Sequence, residues 1–154
     1  MAVDLRAHLT KQLTTTLHLI KRDIEAMTPE QLAHAGGTET RTPYDFIYEC
    51  AVVNKRMTDR IRKVEPTPWP WNQGEYAVAP DDWRDKAVAL ERLETSVKDL
   101  LEAALVNPDE EIQLPDEVET AFGLALFADF HTGYHLGQIN YVQTLYGDRK
   151  MHWF

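Results

Sequence analysis

The chain has 154 residues, with hydrophobic residues at 44%, charged residues at 27% and a formal net charge of −9. That length fits one domain, spanning residues 1–154, with enough chain to bury a sizeable core. The acidic balance argues against nucleic acid as a partner, because phosphate backbones repel it. The most basic stretch, Lys55 to Lys63, spaces its charges as a solvated helix face would. No apolar run approaches the roughly 20 residues that span a bilayer, so no membrane partner is expected. The opening residues lack the apolar segment of a signal peptide. Cys50 is the single cysteine, so no intrachain disulfide can form and a reducing, cytoplasmic setting is the expected one.

The first long segment, about Asp4 to Met27, reads as a helix. Leu9, Leu13, Leu17, Ile20, Ile24 and Met27 recur in steps of three and four, with Lys21, Arg22, Asp23 and Glu25 facing elsewhere. His8 and His18 lie off the centre of that stripe and are read as partly exposed structural histidines. Thr28-Pro29-Glu30-Gln31 restarts a helix: a threonine cap, proline at the first position and Gln31 closing a capping box. A short turn ends at Gly36-Gly37, with His34 facing solvent.

A second long helix opens at Thr42-Pro43-Tyr44-Asp45, again with a threonine cap, a first-position proline and an acid three residues on. Phe46, Ile47, Cys50, Val53, Met57 and Ile61 form its buried face. Glu49 and Asn54 sit on the two edges of that stripe. The stretch from Glu65 to Pro80 holds Pro66, Pro68, Pro70 and Pro80, a density that forbids a helix. Trp69 and Trp71 in it are expected either to roof a pocket or to pin the loop to the end of the fold.

The third long helix is expected from about Asp81 to Val106, with Trp83, Ala87, Leu90, Leu93, Val97, Leu100, Leu101 and Ala104 inward. Asn107-Pro108-Asp109 stops it, and Ile112 to Pro115 reads as extended. The fourth is expected from about Glu117 to Tyr146, closed by Gly147. Gly133 and Gly137 mark one side of it as a place where a neighbouring helix can come close. The apolar tail, Lys150 to Phe154, is expected to dock. Four long amphipathic helices without a convincing strand predict an all-α four-helix bundle.

The chemistry concentrates in His131-Thr132-Gly133-Tyr134-His135-Leu136-Gly137-Gln138. Histidines four apart on a helix share a face, with Cβ atoms about 6 Å apart, close enough for both rings to reach one metal. Ala121, Leu124, Ala125, Ala128, Gln138 and Val142 extend that stripe into the core. The alternative is a pair of core histidines hydrogen-bonded to neighbours. A third donor has to come from a facing helix, and Glu49, Cys50, His8 and His18 are the candidates.

The segment from His131 to Gln138 resembles the closing motif of the DinB/YfiT-like family, a histidine pair four apart followed by glycine and glutamine. The opening Thr42-Pro-Tyr-Asp-Phe-Ile-Tyr-Glu49 resembles that family's other motif, which carries a histidine seven residues after the cap. The resemblance covers essentially the whole chain. It implies an up-down-down-up four-helix bundle, often dimeric, with a divalent metal such as zinc or nickel. It also implies an enzyme acting on a small molecule, as in the thiol-dependent S-transferases of that family, whose partner is a low-molecular-weight thiol.

This chain departs from the motif in one ligand: Glu49 stands where the family has histidine. The expected metal site is therefore Glu49, His131 and His135, a set that suits zinc, manganese or iron(II) and leaves positions open. Its extra negative charge makes ionising a bound thiol harder and weakens the S-transferase expectation. Cys50 is the competing ligand, and a small buried thiol is its other role. Gln138 is placed to orient a ligand or substrate. Tyr44, Asn54, Trp69 and Trp71 are candidates for the mouth. The rival class is a non-catalytic helical protein with a buried Glu–His cluster, acting by dimerising or by binding a partner.

Overall fold

The computed structural model describes residues 4–34, 36–37, 40–72 and 74–154. Residues 1–3 of the opening segment, and Gln73 in the proline-rich loop, lie outside that description. The described chain is predominantly helical. Its helices are α1 (Leu5–Ala26), α2 (Pro29–Ala33), α3 (Pro43–Ile61), α4 (Lys86–Val106) and α5 (Ala121–Leu145). A two-stranded antiparallel ribbon, β1 (Glu111–Gln113) and β2 (Val118–Thr120), precedes α5. No described helix is long and apolar enough to cross a membrane.

Local chemistry sets the helix starts. Asp4 caps α1 by accepting from the backbone N–H groups of Arg6 and Ala7. At α2 the capping box forms as expected: Thr28 Oγ1 accepts from Gln31 N at 3.3 Å, and Gln31 Oε1 accepts from Thr28 N at 2.8 Å. At α3 the Asp45 carboxylate accepts from both the Thr42 N–H and its hydroxyl, at 2.7 and 2.8 Å. Gly147, at φ +81°, ends α5 in the left-handed conformation that glycine adopts without strain, and Asp148 N returns to Gln143 O.

Two expected boundaries move. The helix read from Asp81 begins instead at Lys86, after a short 3-10 turn at Asp81–Trp83, because Asp85 caps it by accepting from Val88 N. The helix read from Glu117 begins at Ala121. Residues 118–120 pair with β1, and Thr120 Oγ1 caps the helix by accepting from Gly123 N at 2.9 Å. The extended reading of Ile112 is correct, and its strand partner was the missing piece.

The helices α1 and α5 pack together, as do α3 and α4, α3 and α5, and α1 and α4. They share one core, to which Leu9, Leu13, Ile20 and Ile24, then Ile47, Cys50, Val53 and Met57, then Leu93, Val97 and Leu100, and finally Leu124, Ala128 and Ile139 contribute. Each fully buried leucine or isoleucine is worth about 1.5–3 kcal/mol. Trp83 only borders this core. His8, His18 and His34 are exposed, as read.

Three charged residues depart from the sequence reading. Asp23 is buried, 1% exposed, because the tail folds back on it: Trp153 Nε1 donates to its carboxylate at 2.9 Å, and Asn140 donates to the same oxygen. Arg56 and Asp59 belong to no solvated face. Arg56 donates to the Thr67 carbonyl and lies 4.0 Å from the Trp69 ring centre, while Asp59 accepts from Thr67 N and Oγ1. Together they tie the proline-rich loop to α3. Asp45 holds the far end of that loop by accepting from Ala79 N at 2.7 Å.

Candidate metal centre

Helix α3 delivers Glu49 and Cys50, and α5 delivers His131 and His135, to one place in the packed helices. Glu49 Oε1 lies 3.3 Å from His131 Nε2 and 3.6 Å from His135 Nε2. The two imidazole nitrogens are 3.3 Å apart. Three donor atoms thus form a nearly equilateral triangle. Donors held tetrahedrally at about 2.0–2.1 Å from one centre are separated by about 3.3–3.4 Å, so the triangle has the dimensions of three ligands to one ion.

Cys50 joins the group. Its sulfur and the donor nitrogens of His131 and His135 all lie within 4.8 Å of one another, a grouping that can hold a metal ion. Burial pushes the Cys50 thiol up to about 12, so without a cation it stays protonated. Glu49 and Cys50 are neighbours on one helix, and the structure presents both to the histidine pair.

The electronic state of the histidines follows from their partners. Gln138 Nε2 donates to Tyr134 Oη at 3.0 Å, which turns Gln138 Oε1 toward His135 Nδ1, 2.6 Å away. His135 Nδ1 therefore carries the ring proton, and its Nε2 points a lone pair into the triangle. Burial lowers His135 to about 3, with His131 adding to the shift, and burial together with the Arg41 charge lowers His131 to about 4. Both rings are neutral at neutral pH, the form that binds metal. Phe46 stacks on His135 at a centroid distance of 5.2 Å and fixes its plane. His131 Nδ1 is buried without a hydrogen-bond partner among the described residues.

Arg41, one residue before the cap of α3, forms an ion pair with Glu49 Oε2. The sequence carries no signal for it, because it lies outside every periodic segment.

One cavity reaches the donors, and a second is lined by residues that contact them. One, of about 440 Å³, is walled by Glu49, His131, Trp69, Trp71, Leu124 and Phe127, so both tryptophans of the proline-rich loop line the approach. The other, of about 590 Å³, contains Arg41, Gln138, Phe46, Tyr76, Tyr134 and Tyr141. A larger hollow of about 660 Å³ between α3 and α4 has none of the four donors in its lining. Tyr44 is buried and lines neither approach, and Asn54 is turned inward to Ser96 Oγ at 3.0 Å. Gly133 and Gly137 are exposed, and among the described residues no other element comes within 4 Å of the place a Cβ would occupy.

No protein-family model matches this chain, and no curated protein gives a significant match. The resemblance to the DinB/YfiT-like family therefore rests on the motif residues alone.

Proposed function

We propose that this protein is a divalent-metal-dependent enzyme acting on a small molecule, built as an up-down-down-up four-helix bundle of the DinB/YfiT-like kind. Glu49, His131 and His135 are its metal ligands. The observation that carries this reading is the donor triangle, with edges of 3.3, 3.3 and 3.6 Å and with the His135 lone pair aimed into it by Gln138. A metal in this site supplies Lewis-acid activation of water or of a thiol. The chain supplies the rest: Gln138 and Phe46 hold the His135 ring, and Trp69, Trp71 and Phe127 line the approach. The donor set suits zinc, manganese, iron or nickel. The low-molecular-weight thiol of the family and a cytoplasmic location belong to the same reading.

Elemental analysis of protein purified without an affinity tag tests it. About one transition metal per chain supports the reading, and none after dialysis against zinc, manganese and nickel overturns it. Glu49→His recreates the usual ligand set of the family and is expected to bind metal more tightly than the parent chain does. Unchanged uptake in a folded Glu49→His variant removes Glu49 from the site.

One observation favours the rival, a non-catalytic cluster. The Arg41 guanidinium already neutralises Glu49, so the carboxylate has a partner without any metal. A homodimer fits either class, and the exposed aromatics of α5, Phe130 at 72% and Tyr141 at 66%, offer it a face. Light scattering at high micromolar concentration decides between dimer and monomer.

A further inference from the structure

The Arg41 guanidinium lies over two rings. Its central carbon lies 4.9 Å from the centre of Phe46 and 4.9 Å from that of Tyr76. One terminal nitrogen goes to Glu49, while Nε is buried and has no partner among the described residues. Desolvation lowers the affinity of the guanidinium for its proton without removing its charge. The same group faces the cavity of about 590 Å³ that Gln138, Tyr76, Tyr134 and Tyr141 help to wall. That volume lies in the range that encloses a small organic ligand. A planar fork of N–H donors placed over aromatic rings matches a carboxylate.

Charge balance points the same way. Glu49 and Arg41 cancel, and both histidines are neutral. A divalent cation held by Glu49 would leave Glu49, Arg41 and the ion two positive charges in excess. Glu117 and Glu119 line the cavity of about 440 Å³, but among the described residues no acid lines the cavity of Arg41, so an anion is favoured there. Glu49 would also share its charge with the cation and loosen its hold on Arg41.

We propose that Arg41 is a recognition residue for the carboxylate of a small ligand with a flat apolar body, bound in the cavity between Phe46, Tyr76, Tyr134 and Gln138, and that it is released for this task when Glu49 is engaged elsewhere. The proposal rests on the metal reading only for what engages Glu49. The ligand class is thus an aromatic or otherwise planar carboxylate, with its acid group on Arg41 and its body against the tyrosines. No chemical step is attached to this contact; it positions the ligand beside the centre.

Calorimetry with benzoate, and with neutral benzamide as the control, tests the assignment on the full chain. Zinc uptake is measured first. Zinc-loaded protein is expected to bind benzoate at least about tenfold more tightly than metal-free protein does, as one charge-assisted pair predicts. Arg41→Gln is expected to abolish that gain, with circular dichroism confirming the fold and Arg41→Met, which also removes the charge, as a second variant if the first misfolds. A metal-free arm separates this proposal from the metal reading. Glu49→Gln frees Arg41 without any cation and is expected to raise benzoate affinity in an Arg41-dependent way. If zinc is not taken up, the metal reading fails and this arm alone decides on Arg41. Equal benzoate binding by metal-free Glu49→Gln and by the Arg41→Gln/Glu49→Gln double variant overturns the proposal, as does benzamide binding as tightly as benzoate.

Discussion

The Gln138 Oε1 atom lies 2.6 Å from His135 Nδ1, one turn along the same helix, and this contact selects the tautomer of the histidine. A ring that carries its proton on Nδ1 cannot also carry one on Nε2 while it is neutral. The nitrogen facing Glu49 and His131 is thus an acceptor by construction. A carboxylate oxygen 3.6 Å away is an acceptor too, so the two are held together by a proton on His131 or by a cation.

Removing that orienting contact is the first prediction. Gln138→Ala is expected to keep the fold and to weaken metal binding by about 10–100-fold, the usual effect of deleting a partner behind a ligating histidine. Competition titration with a chromophoric chelator reads it. Unchanged affinity in the variant would show that the tautomer is set elsewhere.

The second prediction concerns the loop that lines the approach. Arg56 spends its guanidinium on the Thr67 carbonyl and on the face of Trp69. Arg56→Ala is expected to cost about 1–3 kcal/mol of stability, combining a lost hydrogen bond from a charged group with a lost cation–π contact. Proteolysis within residues 64–80 is expected to accelerate. Proteolysis as slow as in the parent chain would show that Asp59 and Asp45 hold the loop unaided.

These contacts explain what was legible in the sequence. Thr28, Thr42, Gln31 and Asp45 announce their helices because a cap needs only residues within one turn. His131 and His135 announce a shared face for the same reason, and Glu49 was reachable because it borders a periodic stripe. Arg41 was invisible, since it lies outside any element and its role depends on where α3 meets α5. Asp23 was misread because its partners, Asn140 and Trp153, are 117 and 130 residues away in sequence. The ribbon of β1 and β2 was half seen: strands of three residues carry no periodicity, and the Leu114 N–H to Glu117 carbonyl turn that closes them is a tertiary detail.

The third prediction uses the buried carboxylate of Asp23. Burial raises it above the ordinary carboxylate range, against hydrogen bonds from Trp153 and Asn140 that pull it down. A raised carboxyl favours the protonated folded state. Its contribution is therefore fully present below about pH 4, the unfolded value, and is lost as pH climbs through the folded one. Asp23→Asn keeps an oxygen that can accept from Trp153 Nε1 and Asn140 while deleting the charge. The variant is expected to gain stability relative to the parent as pH rises from about 4 toward neutrality. Urea unfolding at several pH values checks this, and an Asn variant that is less stable at neutral pH would mean the charge itself holds the tail.

The last prediction separates the two α3 donors. Cys50 is buried, its thiol is held protonated well above neutrality, and its sulfur falls within reach of both histidines. Glu49 lies 3.3 and 3.6 Å from the two ring nitrogens, is charge-paired with Arg41, and borders the cavity that Trp69 and Trp71 line. A cation that recruits Cys50 must first remove its proton from an apolar setting, whereas Glu49 needs no deprotonation step. Glu49 is thus expected to win the third position. Cobalt(II) loading makes the choice visible, because a thiolate ligand produces a strong sulfur-to-cobalt charge-transfer band in the near ultraviolet and a carboxylate does not. The parent protein is expected to lack that band, and Cys50→Ala to bind cobalt within a few-fold of the parent. Glu49→Ala is expected to lose at least about tenfold in affinity, or to gain the band as Cys50 moves in. A strong band in the parent chain that disappears in Cys50→Ala would assign the site to Cys50, His131 and His135 and leave Glu49 as the counter-ion of Arg41.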